Sequence, residues 1–427
     1  MPFLNFEFVI FFFCNRLQKR QKRKIGGYIM NKNSLLFKVS LLSISLVLSA
    51  GPVVSSLIPL MQQSFPNQST ASIELIATVP NFGILIFVLL SNIFIKFLGK
   101  KHTVLLGLLI ALISGIIPVF IENYTIILAS RFMFGAGIGL FNALAVSLIT
   151  EFYDGDEQAS LMGLQTAMGS IGSTVMTLLL GYFTKFGWQN SFSVYAITIL
   201  PLILFALFVK LPSTEKLEGN SGENKKEKES INGAIIGLMF FALIIYALFF
   251  VVMLKTATLL VETGIGKPET AASIFGSTTI IGIVMGVLYG KIFKFLKQMV
   301  LPIGLLGVGL GLMVIVFANS VAMVTTGVIV ANLAFSLVAP FMFILVGQVA
   351  PKNSANLATG VLLVGINLGV FLSPTINSFL GKIFAMTTAA DSFLISGVGF
   401  SILGALSFII LGFQKKKSKQ LVPQKIK

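Results

Sequence analysis

The sequence predicts an all-α polytopic membrane protein: twelve transmembrane helices arranged as two pseudo-symmetric bundles of six. Three observations carry that prediction. Hydrophobic residues make up 56% of the chain and charged residues 11%, against about 45–50% and 25% in an ordinary soluble domain. The apolar residues fall in continuous runs of about 20, the length of a helix that crosses a bilayer, rather than in the alternating pattern of barrel strands. One long polar stretch, residues 211–232 reading LPSTEKLEGNSGENKKEKESIN, divides these runs into two similar sets. Spans without water must satisfy their own backbone groups, so continuous runs of this kind fold as helices.

The chain divides into five parts. Residues 1–29 hold a short apolar run, Phe8 to Cys14, followed by Arg16, Lys19, Arg20, Lys22, Arg23 and Lys24. A secretory signal has the opposite order, basic then apolar, and this run is too short to span. The segment reads as an N-terminal arm or as a start site placed upstream of Met30, with an anchor on anionic lipid as the alternative. Residues 30–210 form the first bundle and 211–232 a solvated linker, rich in Lys, Glu, Ser, Gly and Asn, that cannot bury a core. Residues 233–413 form the second bundle and 414–427 a basic tail.

Expected spans are 39–60, 73–95, 103–121, 126–149, 160–183 and 191–209, then 233–256, 270–292, 299–317, 321–347, 355–380 and 391–413. Placing both termini and the linker in the cytoplasm assigns about 26 of the 31 Lys and Arg residues to the inner side, as the positive-inside rule requires. Only Lys185, Lys255, Lys267 and Lys382 fall toward the outer side. The net charge of +16 is therefore a topology signal of a multi-pass cell-membrane protein, and no nucleic-acid partner is implied. With one Cys and one His, neither a disulfide framework nor a Cys/His metal site is expected.

Charges inside the spans are few, which makes each one informative. No Asp or Glu occupies the middle of a span; Glu74, Glu151 and Glu262 lie near span ends and Asp391 begins the last. Arg131 stands in the fourth span within LASRFMFGAGIG, where a charge is expensive enough to mark a functional site. Gly135, Gly137 and Gly139 beside it let neighbouring helices pack closely. In the eighth span Gly282, Gly286 and Gly290 recur on one face. These faces serve ordinary packing or slide as two halves rock.

The pattern R-x-x-x-G-x-G-x-G in a fourth span, with two six-helix halves and a polar linker, resembles the major facilitator superfamily. The resemblance covers Met30 to Phe413 and implies a secondary transporter working by alternating access. It carries a role in proton coupling or substrate binding onto Arg131. A second family signature, G-x-L-x-D-R-x-G-R-K after the second span, is kept in part: Gly99, Lys100 and Lys101 match, while Lys96 stands where the family has aspartate. The family's acidic latch cannot act in its usual polarity, and Glu151 is placed to pair with Lys96 or Lys100, the alternative being solvated loop charges of little individual value. Gly286, Leu288, Gly290 and Lys291 echo that signature in the second half, as an internal repeat would. The Gly-Pro pair of the family's drug antiporters is absent, since Ser173 follows Gly172.

Glu74 is the carboxylate best placed for proton exchange and for pairing with Arg131. Lys255 is the other cation positioned for a central cavity, with snorkelling to headgroups as the alternative. Asn142 and Asn367, with Asn81, Gln165 and Asn332, either line the pathway or bond neighbouring helices.

Secondary transport leads among function classes. No G-x-x-x-x-G-K-[ST] loop supplies hydrolysis, and no HExxH helix, Ser/His pair or paired carboxylates within the spans supplies an intramembrane enzyme. A membrane sensor or scaffold has no need of Arg131 among glycines. The expected activity is proton-driven efflux of small amphipathic compounds, with uptake of a small organic anion as the alternative. Expected partners are a small-molecule substrate, protons and the lipid bilayer; the chain is expected to be a monomer without a cofactor.

Overall fold

The computed structural model describes residues 35–153, 155–209, 230–351 and 354–420, and no strand occurs among them. Every expected span is helical, with ends shifted by a few residues. We number the helices α1 (Leu35–Val47), α2 (Gly51–Ser64), α3 (Thr70–Phe120), α4 (Tyr124–Phe152), α5 (Gly155–Phe183), α6 (Asn190–Phe208) and α7 (Gly233–Glu262). The remainder are α8 (Pro268–Leu296), α9 (Val300–Val316), α10 (Val321–Val349), α11 (Ala355–Ile383) and α12 (Ala389–Gln420). The arm 1–29, the linker up to residue 229 and the tail beyond Gln420 lie outside the described residues.

By length and apolarity nine helices among the described residues can cross a membrane, ten when α1 and α2, bent by 44° at their junction, count as one. That count stops short of the expected twelve, and α3 shows one reason. It runs 51 residues, about 76 Å at 1.5 Å per residue, more than twice the hydrocarbon thickness. Gly99 interrupts it at φ 77°, ψ 162°, a backbone that glycine adopts without a Cβ clash. The chain turns back there, and the two limbs of α3 serve as separate crossings.

Helix starts carry the residues that satisfy orphan N–H groups. Ser69 Oγ accepts from Ser72 N, Asn123 Oδ1 from Ile126 N, Asn232 Oδ1 from Ile235 N and Ser320 Oγ from Met323 N. Chain direction reverses at each connection after the α1–α2 bend and again at Gly99, so one end of the bundle gathers Leu35, Gly99, Val209, Ser230 and Gln420. We call it the linker end and its opposite the far end.

Each half buries its own apolar core. They meet at the far end: Leu254 of α7 is buried in the first half's core, and Phe250 packs against it. There a Cβ on Gly181 of α5 would stand 3.1 Å from Ala272 Cβ of α8, and Gly276 of α8 approaches Leu178. Nearer the linker end the same two helices part: Gly163 of α5 and Gly290 of α8 have open space where a Cβ would be. The molecule is closed between its halves at the far end and open toward the linker.

Candidate functional site

The site begins with two breaks in the backbone. The junction of α1 and α2 runs through Ala50, Gly51 and Pro52, and α3 carries Pro80 four residues after Ile76. Proline has no N–H, so the Ile76 carbonyl loses its helical donor. Arg131 of α4 repairs both: its Nε donates to Ile76 O at 3.3 Å and its Nη2 to Gly51 O at 2.7 Å. Tyr195 of α6 donates its hydroxyl to Ala50 O at 3.1 Å.

The guanidinium is wholly buried. Its Cζ lies 4.6 Å from the Phe134 ring, 4.9 Å from Tyr195 and 5.9 Å from Phe192. Carbonyl oxygens and ring faces present negative charge density, and they compensate the cation in the absence of a carboxylate contact. Nη1 alone has no hydrogen-bond partner. The glycines bring these helices within reach. Gly135 sits against the Pro80 backbone, and a Cβ on Gly139 would come within 2.8 Å of Ile84 O. Gly137 faces the other limb of α3, where an added Cβ would come within 2.6 Å of Gly107 O.

The expected pairing of Glu74 with Arg131 is not the one that forms. Glu74 Oε1 stands 2.7 Å from Lys255 Nζ of α7, with side chains 1% and 12% exposed. Helical phase explains the choice: Glu74 and Ile76 lie about 200° apart around α3, so the face that offers its carbonyl to Arg131 turns Glu74 away. Of the three ion pairs among the described residues, this one joins the two halves. Nearer the middle of α3, Thr78 Oγ1 donates to Phe371 O of α11 at 3.3 Å. Phe82 stacks on the Phe371 ring with centroids 4.7 Å apart and planes inclined by 16°. Together they make a two-layer closure of the far end, ionic outside and aromatic beneath.

At the linker end Glu151 takes Lys100, at 2.7 Å, and not Lys96, which is exposed. Lys101 Nζ donates to Ala206 O at 2.8 Å in the last turn of α6, where a cation also suits the helix dipole. Lys38 of α1 pairs with Glu157 of α5 at 2.6 Å. These contacts brace the first half internally. Gly282 and Gly286 fall in α8, with surroundings outside the described residues.

Asn142 of α4 is half-buried. Asn367 returns its amide to Leu363 O, one turn back on its own helix, as Asn332 does to Val328 O. Sequence reasoning did not single out Phe82, Phe371 and Thr78, since one Phe among many carries no signal. Pro80 did carry one: its missing N–H leaves the Ile76 carbonyl needing an outside donor.

Comparison with known proteins agrees with this fold. A family profile described as Major Facilitator Superfamily matches residues 39–374. The chain is 24% identical over 135 residues to the multidrug resistance protein MdtL of Escherichia coli O157:H7, covering 31% of this chain and 34% of that protein. It is 24% identical over 169 residues to the putative niacin/nicotinamide transporter NiaP of Bacillus subtilis, 39% and 41% of the two chains. The match therefore spans about a third of the length of the first of these relatives. Among solved structures, the nucleoside transporter NupG in a point-mutant form superposes with TM-score 0.72 at 13% identity, covering 88% of this chain and 99% of that one. The inward-open xylose transporter XylE of E. coli gives 0.65 at 15% identity, covering 87% and 94%. These likenesses fix the fold.

Proposed function

The chain belongs to the Major Facilitator Superfamily, a family of transporters, and from that premise we propose that it exports small amphipathic compounds across the cell membrane by alternating access, driven by protons. The observation that carries the reading is the Glu74–Lys255 pair, the buried ionic contact between the halves at the closed end. A buried pair is costly to separate because each charge is left without its partner in a low dielectric. A proton on Glu74 removes one of the charges and with it most of that cost. The far end opens as bound solute separates the pair, and Glu74 takes a proton from the outer side while that end is open. The pair re-forms when the proton leaves through the open linker end, so a proton enters as a solute leaves. The half-buried rings Phe82, Phe132 and Phe371 beneath the pair suit an amphipathic solute more than a sugar. The efflux direction rests on the similarity to a protein named for multidrug resistance.

Arg131 acts here by holding the α1–α2 junction against α3, so that α2 keeps its place against α7. The test is dye and metabolite efflux from cells and from proteoliposomes with an imposed proton gradient. Uncoupler-sensitive efflux that Glu74→Gln converts to gradient-independent exchange is the expected result. Efflux by Glu74→Gln that still follows the gradient removes Glu74 from coupling. Uptake of a small organic anion is the second reading, favoured by Lys255 at the closure and by the similarity to NiaP. Labelled nicotinate entering, rather than leaving, energised vesicles of native orientation selects it.

A further inference from the structure

The two halves repeat a short loop residue for residue. In the first, Lys96-Phe97-Leu98 leads to Gly99 at φ 77°; in the second, Lys294-Phe295-Leu296 leads to Lys297 at φ 50°. The second of these loops lies just after the echo expected at Gly286–Lys291. Phe97 follows the start of α3 by the same number of positions as Phe295 follows the start of α8. That is about 40 Å along a helix, which puts both rings at the headgroup boundary of the linker-end leaflet. Phe97 is 80% exposed and Phe295 is 88% exposed.

Charge separates the two loops. In the first, Lys100 and Lys101 are engaged by Glu151 and Ala206 O, and Lys96 is exposed. In the second, Lys291, Lys294 and Lys297 are all exposed, and none forms an ion pair among the described residues. No acidic residue occurs between Thr270 and Lys297. Lys297 holds the left-handed position that Gly99 fills in the other half, a backbone that lysine tolerates poorly. Lys297 thus sets a third cation on the loop at a position where glycine would fit with less strain.

We propose that these loops are paired binding sites for anionic phospholipid headgroups, the stronger in the second half: Phe295 inserts at the acyl boundary and Lys291, Lys294 and Lys297 hold the phosphate. Lipid is the occupant because an exposed ring at that depth, flanked by cations, matches a headgroup above an acyl chain. Where the halves part at the linker end, lipid held on each loop is positioned to bias how far they separate.

The test uses the full-length chain with Phe295→Trp as reporter in nanodiscs of phosphatidylcholine mixed with brominated phosphatidylglycerol, or the reverse labelling. Preferential quenching by phosphatidylglycerol is expected, falling roughly five-fold for each lysine removed in Lys294→Gln and Lys297→Gln. Quenching by brominated phosphatidylcholine in the same variants reports that the ring still lies in the boundary. Phe97→Trp is expected to show a weaker preference, lowered by Lys96→Gln. Equal quenching by the two lipids, or a preference that the lysine changes leave unmoved, overturns the proposal. So does a preference that appears only after Glu215, Glu218, Glu223, Glu227 and Glu229 are changed to Gln, because the linker would then be the occupant.

Discussion

The two halves break their first helix at corresponding places and repair the break with different chemistry. In the first half the carbonyls at Ala50 and Gly51 receive the Tyr195 hydroxyl and the Arg131 guanidinium. In the second, α7 bends at Phe250, and the Ala247 carbonyl receives the Ser373 hydroxyl at 2.7 Å and the Asn377 amide at 3.4 Å, both from α11. A guanidinium reaches two broken helices at once, whereas a hydroxyl and an amide from one helix serve one carbonyl. The first half is therefore pinned through a charge at the crossing of α2, α3, α4 and α6. The second is held by neutral bonds that can be made and broken cheaply, with membrane hydrogen bonds averaging about 0.6 kcal/mol each. From this contrast we propose that the halves share a scaffold and differ in stiffness, the first serving as frame and the second as the moving part.

Arg131→Ala breaks this comparison most directly. It strands the carbonyls of Ile76 and Gly51 and empties an aromatic box, with an expected loss on the order of 3 kcal/mol or more. Thermal unfolding in detergent measures it, and Arg131→Lys, which keeps charge but reaches one carbonyl, belongs between. If Arg131→Ala unfolds with the parent, the guanidinium is not a pin and its role must be sought in the transport cycle.

Glu74→Gln comes next, because it acts between the halves rather than within one. Loss of the ion pair is expected to shift the population toward an open far end by roughly ten-fold or more, about 1.4 kcal/mol or greater. Spin-label distances across the far end, from α3 to α7, read it directly. The exchange Glu74→Lys with Lys255→Glu is expected to restore most of the closure. Failure of the exchange together with normal closure in both single variants would mean that the aromatic layer of Phe82 and Phe371 holds the end alone.

Ser373→Ala in the second half should cost only about 0.6 kcal/mol, since Asn377 still reaches Ala247. Equal melting losses for Ser373→Ala and Arg131→Ala would erase the difference between frame and moving part.

Much of this was legible in the sequence. Long apolar runs have one outcome in a bilayer, so the helices followed from composition alone. Arg131 announced itself as a charge among glycines, and Gly135, Gly137 and Gly139 sit where close packing was expected of them. What Arg131 touches was half legible: Pro80 leaves the Ile76 carbonyl short of a donor, while nothing in the local sequence marks the Gly51 carbonyl as the second acceptor. Glu74 with Lys255 was hidden for a different reason. They are far apart in sequence and belong to different halves, so their meeting depends on how the bundles lean, which no local pattern records.

The smallest effect tests the same contrast at the linker end. The first loop is braced by Lys100 on Glu151 and Lys101 on Ala206 O, while the lysines of the corresponding second loop form no ion pair among the described residues. Lys100 and Glu151 side chains are 33% and 44% exposed, and water screens a pair of that kind to about 0–1 kcal/mol. Lys100→Gln is therefore expected to leave the melting temperature nearly unchanged and to raise hydrogen exchange around Gly99 toward that of residues 297–299. If the first half is a frame because of its interior, this loosening stays local and transport is untouched. If transport falls with the exchange rise, stiffness at the loop matters as well, and the pin at Arg131 is only part of what makes the first half the fixed one.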